Sequence, residues 1–355
     1  MEQLTMIRAL ADAFGPSGFE DDVLAVARSF ASDIGPIEED CMRNLYIHRK
    51  ENTGGKPVLM LDAHSDEVGF MVHSIKPNGT LRFVTIGGWN RNALASSGVL
   101  VRNRYGDYIP GIIAAKPVHF MNAAERSAGG EISDLVIDIG AVSRQEAETE
   151  FGIRIGEPVV PATTLQYDEA HGLLFGKAFD CRIGCAVLIE VLHRLAGKEL
   201  PVDVVGVLSA QEEIGERGCK VSVNRVKPDI AIVLEGCPAD DTFTEGYAIQ
   251  TALKKGPMIR FMDTSVICSP RFQRYALDLA AEKGLAVQSS VREGGGNDGA
   301  VINTALDGVP VIVAGVPVRY IHSMNGITSE TDFEASVQFV QAVIESLTQE
   351  TIAGF

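Results

Sequence analysis

The stretch that most constrains this chain is a short apolar run that ends in two adjacent acids: Val204-Val-Gly-Val-Leu-Ser-Ala-Gln-Glu-Glu-Ile-Gly-Glu-Arg-Gly218. The run is rich in β-branched residues and follows Pro201, which predicts a buried strand. Glu212 and Glu213 then enter a turn bracketed by glycines. Two carboxylates held close together at the end of a strand need positive charge between them, and a divalent metal ion commonly supplies it. An isolated Glu-Glu pair is more often a solvated acidic turn, so the interpretation depends on the rest of the chain.

Length and composition describe a folded protein with an acidic surface. The chain has 355 residues, which predicts two domains or one large α/β domain with an insertion. Apolar residues make up 46% and charged residues 22%, which provides for an ample core. The net charge of −16 opposes binding to nucleic acid or to an anionic membrane, because both repel an acidic surface. It favours cationic partners, metal ions among them.

The apolar pattern and the cysteines both indicate the cytoplasm. No apolar stretch approaches the roughly 20 residues that a membrane helix needs, and the opening residues begin an amphipathic pattern. The six cysteines form no Cys-x-x-Cys pair, and a chain of this length needs no disulfide framework. We therefore expect free thiols in a reducing compartment.

The order of helix-like and strand-like segments predicts an α/β fold interrupted by a small β domain. Helices and buried strands alternate at the start of the chain, with strands over 45–48 and 58–63. Between 69 and 165 the pattern changes to short alternating runs separated by Gly, Pro and Asn turns. We expect a mixed, mostly parallel sheet flanked by helices, formed by 1–68 and 166–355, with 69–165 inserted as a small β-barrel.

Potential metal ligands occur where strands of the α/β fold end. His64 and Asp66 directly follow a buried strand, so both can point into the crevice where open α/β sheets bind ligands. Glu235 ends the strand-like run Ile232-Val-Leu-Glu235, and His322 closely follows an apolar strand predicted over 309–316. Asp180 lies just before a helix predicted from about 182 to 195. These positions predict one cluster at one side of the sheet.

Each of these residues also has an ordinary structural interpretation. Asp180 can be the N-cap of its helix, Glu235 a salt-bridge partner and His322 a satisfied residue near the core. The combination is more informative than any member, because two imidazoles and three carboxylates recur at the same side of a parallel sheet. Such mixed ligation suits zinc, cobalt or manganese.

The residues in this order resemble the M42 family of metallo-aminopeptidases, the group of glutamyl and tetrahedral aminopeptidases. The resemblance extends over essentially the whole chain and includes a β domain between Asp66 and Asp180. The matching stretches are His64-x-Asp66, Asp180, Glu212-Glu213, Glu235, Lys116-Pro-Val-His119, Gly156-Glu-Pro-Val159, Gly294-Gly-Gly-Asn-Asp-Gly299 and Arg319-Tyr-Ile-His322.

This resemblance implies a site with two divalent metal ions, zinc or cobalt, with manganese also suitable. Asp180 would bridge the two ions. His64 and Glu235 would complete one ion's ligands, and Glu213 and His322 the other's.

The resemblance also implies the catalytic roles and the partners. Water between the two ions is the expected nucleophile, Glu212 the general base, and Asp66 the acceptor for the second nitrogen of His64. The expected substrate is a short peptide with a free N-terminus. The expected assembly is a homo-oligomer, commonly of twelve subunits built from dimers that associate through the inserted domain.

Several residues depart from the commonest family pattern or have a separate interpretation. Glu235 stands where Asp is usual, which lengthens a ligand arm, while Cys181 and Asn297 have consequences that the sequence leaves open. Cys181 and Cys185 are expected to be small buried residues, because neither is paired with a histidine and an acid. His119 is expected to be a structural residue of the inserted domain, or to approach a neighbouring subunit's site.

Three alternatives to an aminopeptidase have different sequence requirements. Related dimetal deacylases and carboxypeptidases carry their extra domain after the fourth ligand, whereas here the long gap lies between Asp66 and Asp180. Glycoside hydrolysis needs two carboxylates about 5 Å or more apart on opposite sides of a sugar, which the adjacent Glu212 and Glu213 are poorly placed to provide. A non-catalytic assembly protein would not require intact ligands. The preferred N-terminal residue and the native metal stay open.

Overall fold

The computed structural model describes residues 2–122 and 130–355 and divides into two compact units. The larger unit comprises residues 1–67, 165–321 and 326–355, and the smaller unit comprises residues 68–164 and 322–325. Within the described residues, no helix combines the length and the apolar character that crossing a membrane requires.

The regular elements are numbered here in chain order. The strands are β1 (Ile37–Glu39), β2 (Leu45–His48), β3 (Val58–His64), β4 (Gly69–Ile75), β5 (Leu81–Ile86), β6 (Gly98–Arg102), β7 (Tyr108–Ala114), β8 (Val136–Asp138), β9 (Pro158–Pro161), β10 (Gln166–Asp168), β11 (Leu173–Gly176), β12 (Asp203–Ser209), β13 (Ile230–Pro238), β14 (Met258–Met262), β15 (Gln288–Val291), β16 (Val311–Val318) and β17 (Gly326–Ser329). The helices are α1 (Glu2–Asp12), α2 (Asp21–Ala31), α3 (Arg144–Thr149), α4 (Phe179–Arg194), α5 (Cys219–Val226), α6 (Pro270–Lys283), α7 (Gly299–Asn303), α8 (Glu330–Ser346) and α9 (Gln349–Ala353).

The larger unit is built on an eight-stranded mixed sheet in the order β1-β2-β12-β3-β13-β16-β14-β15. Its central strands β12, β3, β13 and β16 are parallel, and β2 and β14 join them antiparallel on either side. The central strands are almost continuously apolar, as expected where helices cover both faces of a parallel sheet. The predicted fold class is confirmed. Strands β10, β11 and β17 form a separate three-stranded sheet.

Alternate residues of the central strands enter different cores. Leu59 and Leu61 of β3 pack in the larger core with residues of α1, α2, α4, α6 and α8. Met60, between them, packs in a second core with residues of α5 and α7. This alternation follows from the two-residue period of a strand. Both faces of the sheet are therefore buried, which leaves the carboxyl ends of the strands as the place for polar side chains.

The smaller unit is a closed barrel in the order β4-β5-β8-β7-β6-β9, as the alternating pattern predicts. Phe70 is central to its apolar core, stacked on Trp89 at 4.7 Å between ring centroids and edge-on to Phe83 at 5.1 Å. Met324, from the segment 322–325, packs into the same core. Helix α3 begins where the capping pattern predicts it, because the Ser143 hydroxyl accepts the N–H of Glu146.

One expectation about strands is wrong, and two edge strands lack a clear sequence signal. Glu235 does not end its strand, since β13 continues to Pro238 and pairs with β16 along that length. The edge strands β14 and β15 were not predicted. Their pattern is weak because β14 contains Arg260, which is buried and paired with Asp263 at 2.8 Å, and β15 is largely polar.

Candidate metal centre

Three neighbouring strands bring His64, Glu235 and the turn with Glu212 and Glu213 to one edge of the large sheet. His64 is the last residue of β3 and pairs with Ser209 at the end of β12. On the other side of β3, Val233 of β13 pairs with Asp62, which brings Glu235 level with His64 two residues later. The turn that follows β12 completes this edge. Parallel register therefore brings together side chains that are far apart in sequence.

The imidazole of His64 is the centre of the cluster. Its Nε2 atom lies 3.2 Å from Oδ1 of Asp180, 3.7 Å from Oε2 of Glu235 and 3.9 Å from Oε2 of Glu212. His64 and Glu235 are buried, and the other two are half-buried. Three carboxylates thus face one ring nitrogen.

This arrangement requires positive charge. Burial lowers the pKa of His64, but hydrogen bonds to Asp180 and Asp66 outweigh it and raise that pKa well above its ordinary value. Burial also raises the pKa of Glu235 to about 8 and the pKa of Glu212 well above its ordinary range. These shifts show that the crowded acids favour positive charge beside them, whether from a proton or from a cation. A divalent cation at Nε2 would supply that charge.

Asp180 reaches this position because the start of α4 is not regular helix. Ala178 occupies the N-cap position in a left-handed conformation, and Asp180 and Cys181 have non-helical backbone angles. Strand β13 approaches closely, since a Cβ atom on Gly236 would lie 2.3 Å from the carbonyl oxygen of Phe179. Asp180 also lies 3.2 Å from His64, a contact that a role as helix N-cap alone does not explain.

Asp66 organises the turn that carries the two glutamates. Its carboxylate accepts the N–H of Glu212 at 2.9 Å, the N–H of Glu213 at 3.2 Å and the hydroxyl of Ser17 at 2.6 Å. Nδ1 of His64 lies 3.1 Å from the backbone oxygen of Asp66 and 3.4 Å from its carboxylate. Burial opposes ionisation, but the hydrogen bonds lower the pKa of Asp66 below its ordinary value. Asp66 thus orients the turn as well as the imidazole.

Glu20 is a site residue that sequence reasoning missed. It is fully buried, and its Oε1 accepts the N–H of Gly18 at 2.8 Å and of Gln211 at 3.2 Å. Burial, followed by the charge of Asp66, raises the pKa of Glu20 from 4.5 to about 7. The only sequence signal is the Gly-Pro-Ser-Gly turn before it, which sequence reasoning treats as a helix end.

A pair of buried acids that sequence reasoning also missed lies beside the site. Asp62 and Asp298 are both buried, and Asp298 accepts the hydroxyl of Ser209. Burial and the neighbouring Asp298 raise the pKa of Asp62 well above its ordinary value. The low-dielectric surroundings and the adjacent carboxyl group therefore disfavour a charge on Asp62.

His322 belongs to the smaller unit. Its Nδ1 lies 2.9 Å from the carbonyl oxygen of Gly88. That contact favours the tautomer with the proton on Nδ1, in which Nε2 carries the lone pair. The geometry is typical of a metal-binding histidine, and the role of His322 as a ligand stays a prediction.

The remaining sequence expectations have mixed outcomes. Cys181 and Cys185 are fully buried, as expected. His119 is exposed, in a short 3₁₀ turn over Val118–Phe120, and its interpretation as a structural residue of the inserted domain stays a prediction. Its expected approach to a neighbouring subunit stays a prediction.

The described residues fit a divalent metal ion. The ligand atoms of His64, Glu212 and Glu213 lie within 4.8 Å of one another, and so do those of His64, Cys181 and Glu235. Imidazole and carboxylate donors around one point, with acids that need a countercharge, are the chemistry of a zinc-type or cobalt-type site.

Comparison with known proteins places this fold and site in a family. Residues 44–339 match the M42 glutamyl aminopeptidase family. The glutamyl aminopeptidase of Lactococcus lactis subsp. cremoris is 34% identical, over 99% of this chain and 99% of its own. The crystal structure of the TET aminopeptidase from Thaumarchaeota archaeon SCGC AB-539-E09 superposes with a TM-score of 0.95 at 36% identity, covering 100% of this chain and 99% of that one. Pyrococcus horikoshii TET1 peptidase, which can assemble into a tetrahedron or a large octahedral shell, gives 0.87 at 27% identity, over 97% and 100%.

The fold and the site define a peptide hydrolase of the metal-dependent kind. The chain belongs to the M42 glutamyl aminopeptidase family.

Proposed function

We propose that this protein is a dimetal aminopeptidase that releases single N-terminal residues from short peptides. The observation that carries the proposal is the convergence of Asp180, Glu212 and Glu235 on Nε2 of His64. Nothing in a purely structural role would require three acids from separate segments to surround one buried imidazole. A catalytic metal centre does, because its ligands must come from a rigid frame and leave room for substrate.

The proposed ligands are those expected from the family resemblance: His64, Asp180, Glu213, Glu235 and His322. Two divalent ions held by them, zinc or cobalt in preference to manganese, would polarise the scissile carbonyl and make water nucleophilic near neutral pH. The Glu235 side chain is one methylene longer than that of an aspartate. Its backbone lies within β13, which pairs with β16 on one side and with β3 on the other.

Glu212 is the proposed general base. Its carboxylate borders the same point as the proposed ligands, with Oε2 3.9 Å from Nε2 of His64. Glu212 takes the proton from the attacking water and delivers it to the leaving amine. Asp66 keeps the base in place, because it holds the N–H groups of Glu212 and Glu213 at once.

The acidic site also supports recognition of a free N-terminus. A substrate ammonium placed beside carboxylates such as Glu213 and Glu235 gains charge-assisted hydrogen bonds. An acetyl cap removes that charge, leaves acceptors unpaired and adds bulk. The preference therefore follows from the same acids that form the proposed metal centre.

We further propose that the protein is a cytoplasmic homo-oligomer, a dodecamer built from dimers. The catalytic part comprises the segments before and after the inserted domain, and the inserted barrel provides subunit contacts. The barrel exposes large apolar side chains, including Val142 at 80% and Phe120 at 74%. Exposed apolar groups of this kind are common at protein interfaces. The net charge of −16 disfavours nucleic acid and membrane partners.

A panel of short peptides tests the proposal. Each peptide is supplied with a free N-terminus and with an N-acetyl group, and metal-stripped protein is assayed alone and with zinc, cobalt or manganese. We expect stepwise release of N-terminal residues only with metal, and cleavage of acetylated peptides at least about a hundredfold more slowly. Release of C-terminal residues or of acetate would identify a carboxypeptidase or deacylase. Binding without turnover under every metal would identify a non-catalytic protein.

A further inference from the structure

Cys181 lies beside the proposed metal ligands, directly after Asp180. Its thiol is fully buried and donates a hydrogen bond to the carbonyl oxygen of Leu234 at 3.0 Å. The next residue of that strand is Glu235. The ligand atoms of His64, Cys181 and Glu235 all lie within 4.8 Å of one another, and all three residues are buried. A soft sulfur donor therefore accompanies the imidazole and the carboxylate.

Two glycines make this position possible. A Cβ atom on Gly184, one turn along α4, would lie 2.4 Å from Sγ of Cys181 and 3.1 Å from the backbone of Leu234. A Cβ atom on Gly236 would lie 2.9 Å from Cα of Asp180. Without side chains at these positions, the start of α4 packs directly on β13. The thiol is consequently held beside the base of the Glu235 side chain.

Cys185 provides an internal comparison. It lies on the same helix, is equally buried and donates to the carbonyl oxygen of His64 at 3.1 Å. Its sulfur is not part of the group formed by His64, Cys181 and Glu235. The two thiols therefore share burial and helix but differ in whether they face the ligand atoms.

We propose that Cys181 is an additional ligand of the metal ion held by His64 and Glu235, and that its sulfur biases this ion toward zinc and cadmium over manganese. The inference rests on the proposed metal centre. On binding, the thiol gives its proton to solvent and its hydrogen bond to Leu234 is replaced by a sulfur–metal bond. The thiolate also adds a negative charge that a divalent ion balances better than a proton does.

The geometry and the donor chemistry support this assignment. Bond lengths of about 2.0 Å to nitrogen or oxygen and about 2.3 Å to sulfur place the ligand atoms of a tetrahedral ion roughly 3.5 Å apart. Nε2 of His64 and Oε2 of Glu235 already lie 3.7 Å apart. Because the ligand atoms lie within 4.8 Å of one another, the sulfur needs a movement of about 1.3 Å at most, which rotation of a short side chain can supply. Thiolate ligands favour soft or borderline ions over manganese.

Cobalt spectroscopy tests the proposal without measuring activity. Full-length protein is stripped of metal under anaerobic conditions and titrated with Co²⁺ alone, with bound cobalt measured at each step. A thiolate bound to Co²⁺ produces a strong near-ultraviolet charge-transfer band that nitrogen and oxygen ligands do not produce. We expect this band in the wild type and in Cys185→Ser, and its loss in Cys181→Ser. The affinity for Cd²⁺ relative to Mn²⁺ should fall about tenfold or more in Cys181→Ser only.

The outcomes separate this inference from the metal centre on which it rests. Cobalt bound without the band in the wild type, or a band that survives in Cys181→Ser, overturns the role of Cys181 and leaves the metal centre standing. Failure of any cobalt to bind overturns the metal centre itself. X-ray absorption of the zinc-loaded wild type tests the proposal without any variant. A sulfur neighbour of zinc at about 2.3 Å is expected, and its absence overturns the role of Cys181.

Discussion

The larger unit and the inserted barrel bury different kinds of side chain. The barrel core is apolar, and Asn103 is its single buried polar residue among those described. The larger unit buries acids around its candidate metal centre, among them Glu20, Asp66 and Glu235. Burying an acid opposes folding unless it is paired, whereas burying a phenylalanine favours it. The contrast indicates that the barrel is organised for packing and the larger unit for binding charge.

The raised pKa values of buried acids in the larger unit show the cost of burying them. Burial raises the pKa of Glu20 to about 7 and of Glu235 to about 8, so both acids oppose folding when they are ionised. Strain of this kind is common at functional sites and is relieved by the ligand that the site binds. Metal binding should therefore stabilise the larger unit.

The largest effect is expected from Asp180→Ala, because this residue would bridge both ions. We expect metal content to fall at both sites and peptide hydrolysis to fall by roughly three orders of magnitude or more. Elemental analysis after dialysis and the peptide assay measure the two quantities. Asp138→Ala, an exposed acid of the barrel, is the matched control and should change neither. Full activity of Asp180→Ala, or of metal-free wild type, contradicts the prediction.

The next effect separates Glu212 from Glu213. Glu212→Gln keeps the shape of the side chain but removes the base, so metal content should stay near normal while turnover falls by about two orders of magnitude or more. Glu213→Gln should instead lower the affinity of one metal site. Metal titration and single-turnover kinetics on both variants distinguish these results. If Glu212→Gln emptied a site and its remaining holoenzyme stayed fast, the two roles would have to be exchanged.

A smaller effect concerns the pH dependence of stability and Glu20. Its pKa is 4.5 ordinarily and about 7 when folded, so between these values the folded state keeps a proton that the unfolded state has lost. The contribution of Glu20 to the free energy of unfolding therefore decreases as pH rises from about 4.5 to 7 and levels off above that. Glu20 contributes about 3 kcal/mol to this decrease. Chemical denaturation of metal-free protein across this range measures it.

Glu20→Gln should remove that contribution, giving a flatter profile and a more stable metal-free protein at neutral pH. The exposed Glu282→Gln serves as the control and should parallel the wild type. A Glu20→Gln profile that also parallels the wild type would show that Glu20 ionises in the folded protein as freely as in water.

Substitution of an exposed apolar residue on the barrel surface is expected to have the smallest effect on stability. It should nevertheless change the assembly of subunits. Phe120→Ser should lower the mass of the oligomer and change the free energy of unfolding of the subunit by no more than about 0.5 kcal/mol, because the side chain is exposed. Sedimentation velocity measures the mass. Phe243→Ser in the larger unit is the control, since Phe243 is 72% exposed and Phe120 is 74% exposed. Loss of mass in the control, or none in Phe120→Ser, contradicts a special role of the barrel.

Strand-end acids and histidines could be predicted because their neighbours in sequence are diagnostic. An apolar β-branched run ending in His64, or in Glu212 and Glu213, shows both the strand and the point where polar residues begin. Glu20 has no such signal, because its partner Gln211 is 191 positions away. Asp62 is inside an apolar strand, and only the tertiary structure places Asp298 beside it.

By itself the sequence determined the fold class, the insertion of a β domain into the α/β fold, and the family. It also indicated the acids and histidines that lie near the ends of strands. These follow from local periodicity, turn residues and the order of motifs, which do not depend on how distant segments pack. Only the tertiary structure decided that Asp180 faces His64, that Glu235 lies within a strand, and that Cys181 rather than Cys185 faces the ligand group. Those outcomes depend on parallel register and on the close approach of α4 to β13, where absent side chains at Gly184 and Gly236 allow contact between segments distant in sequence.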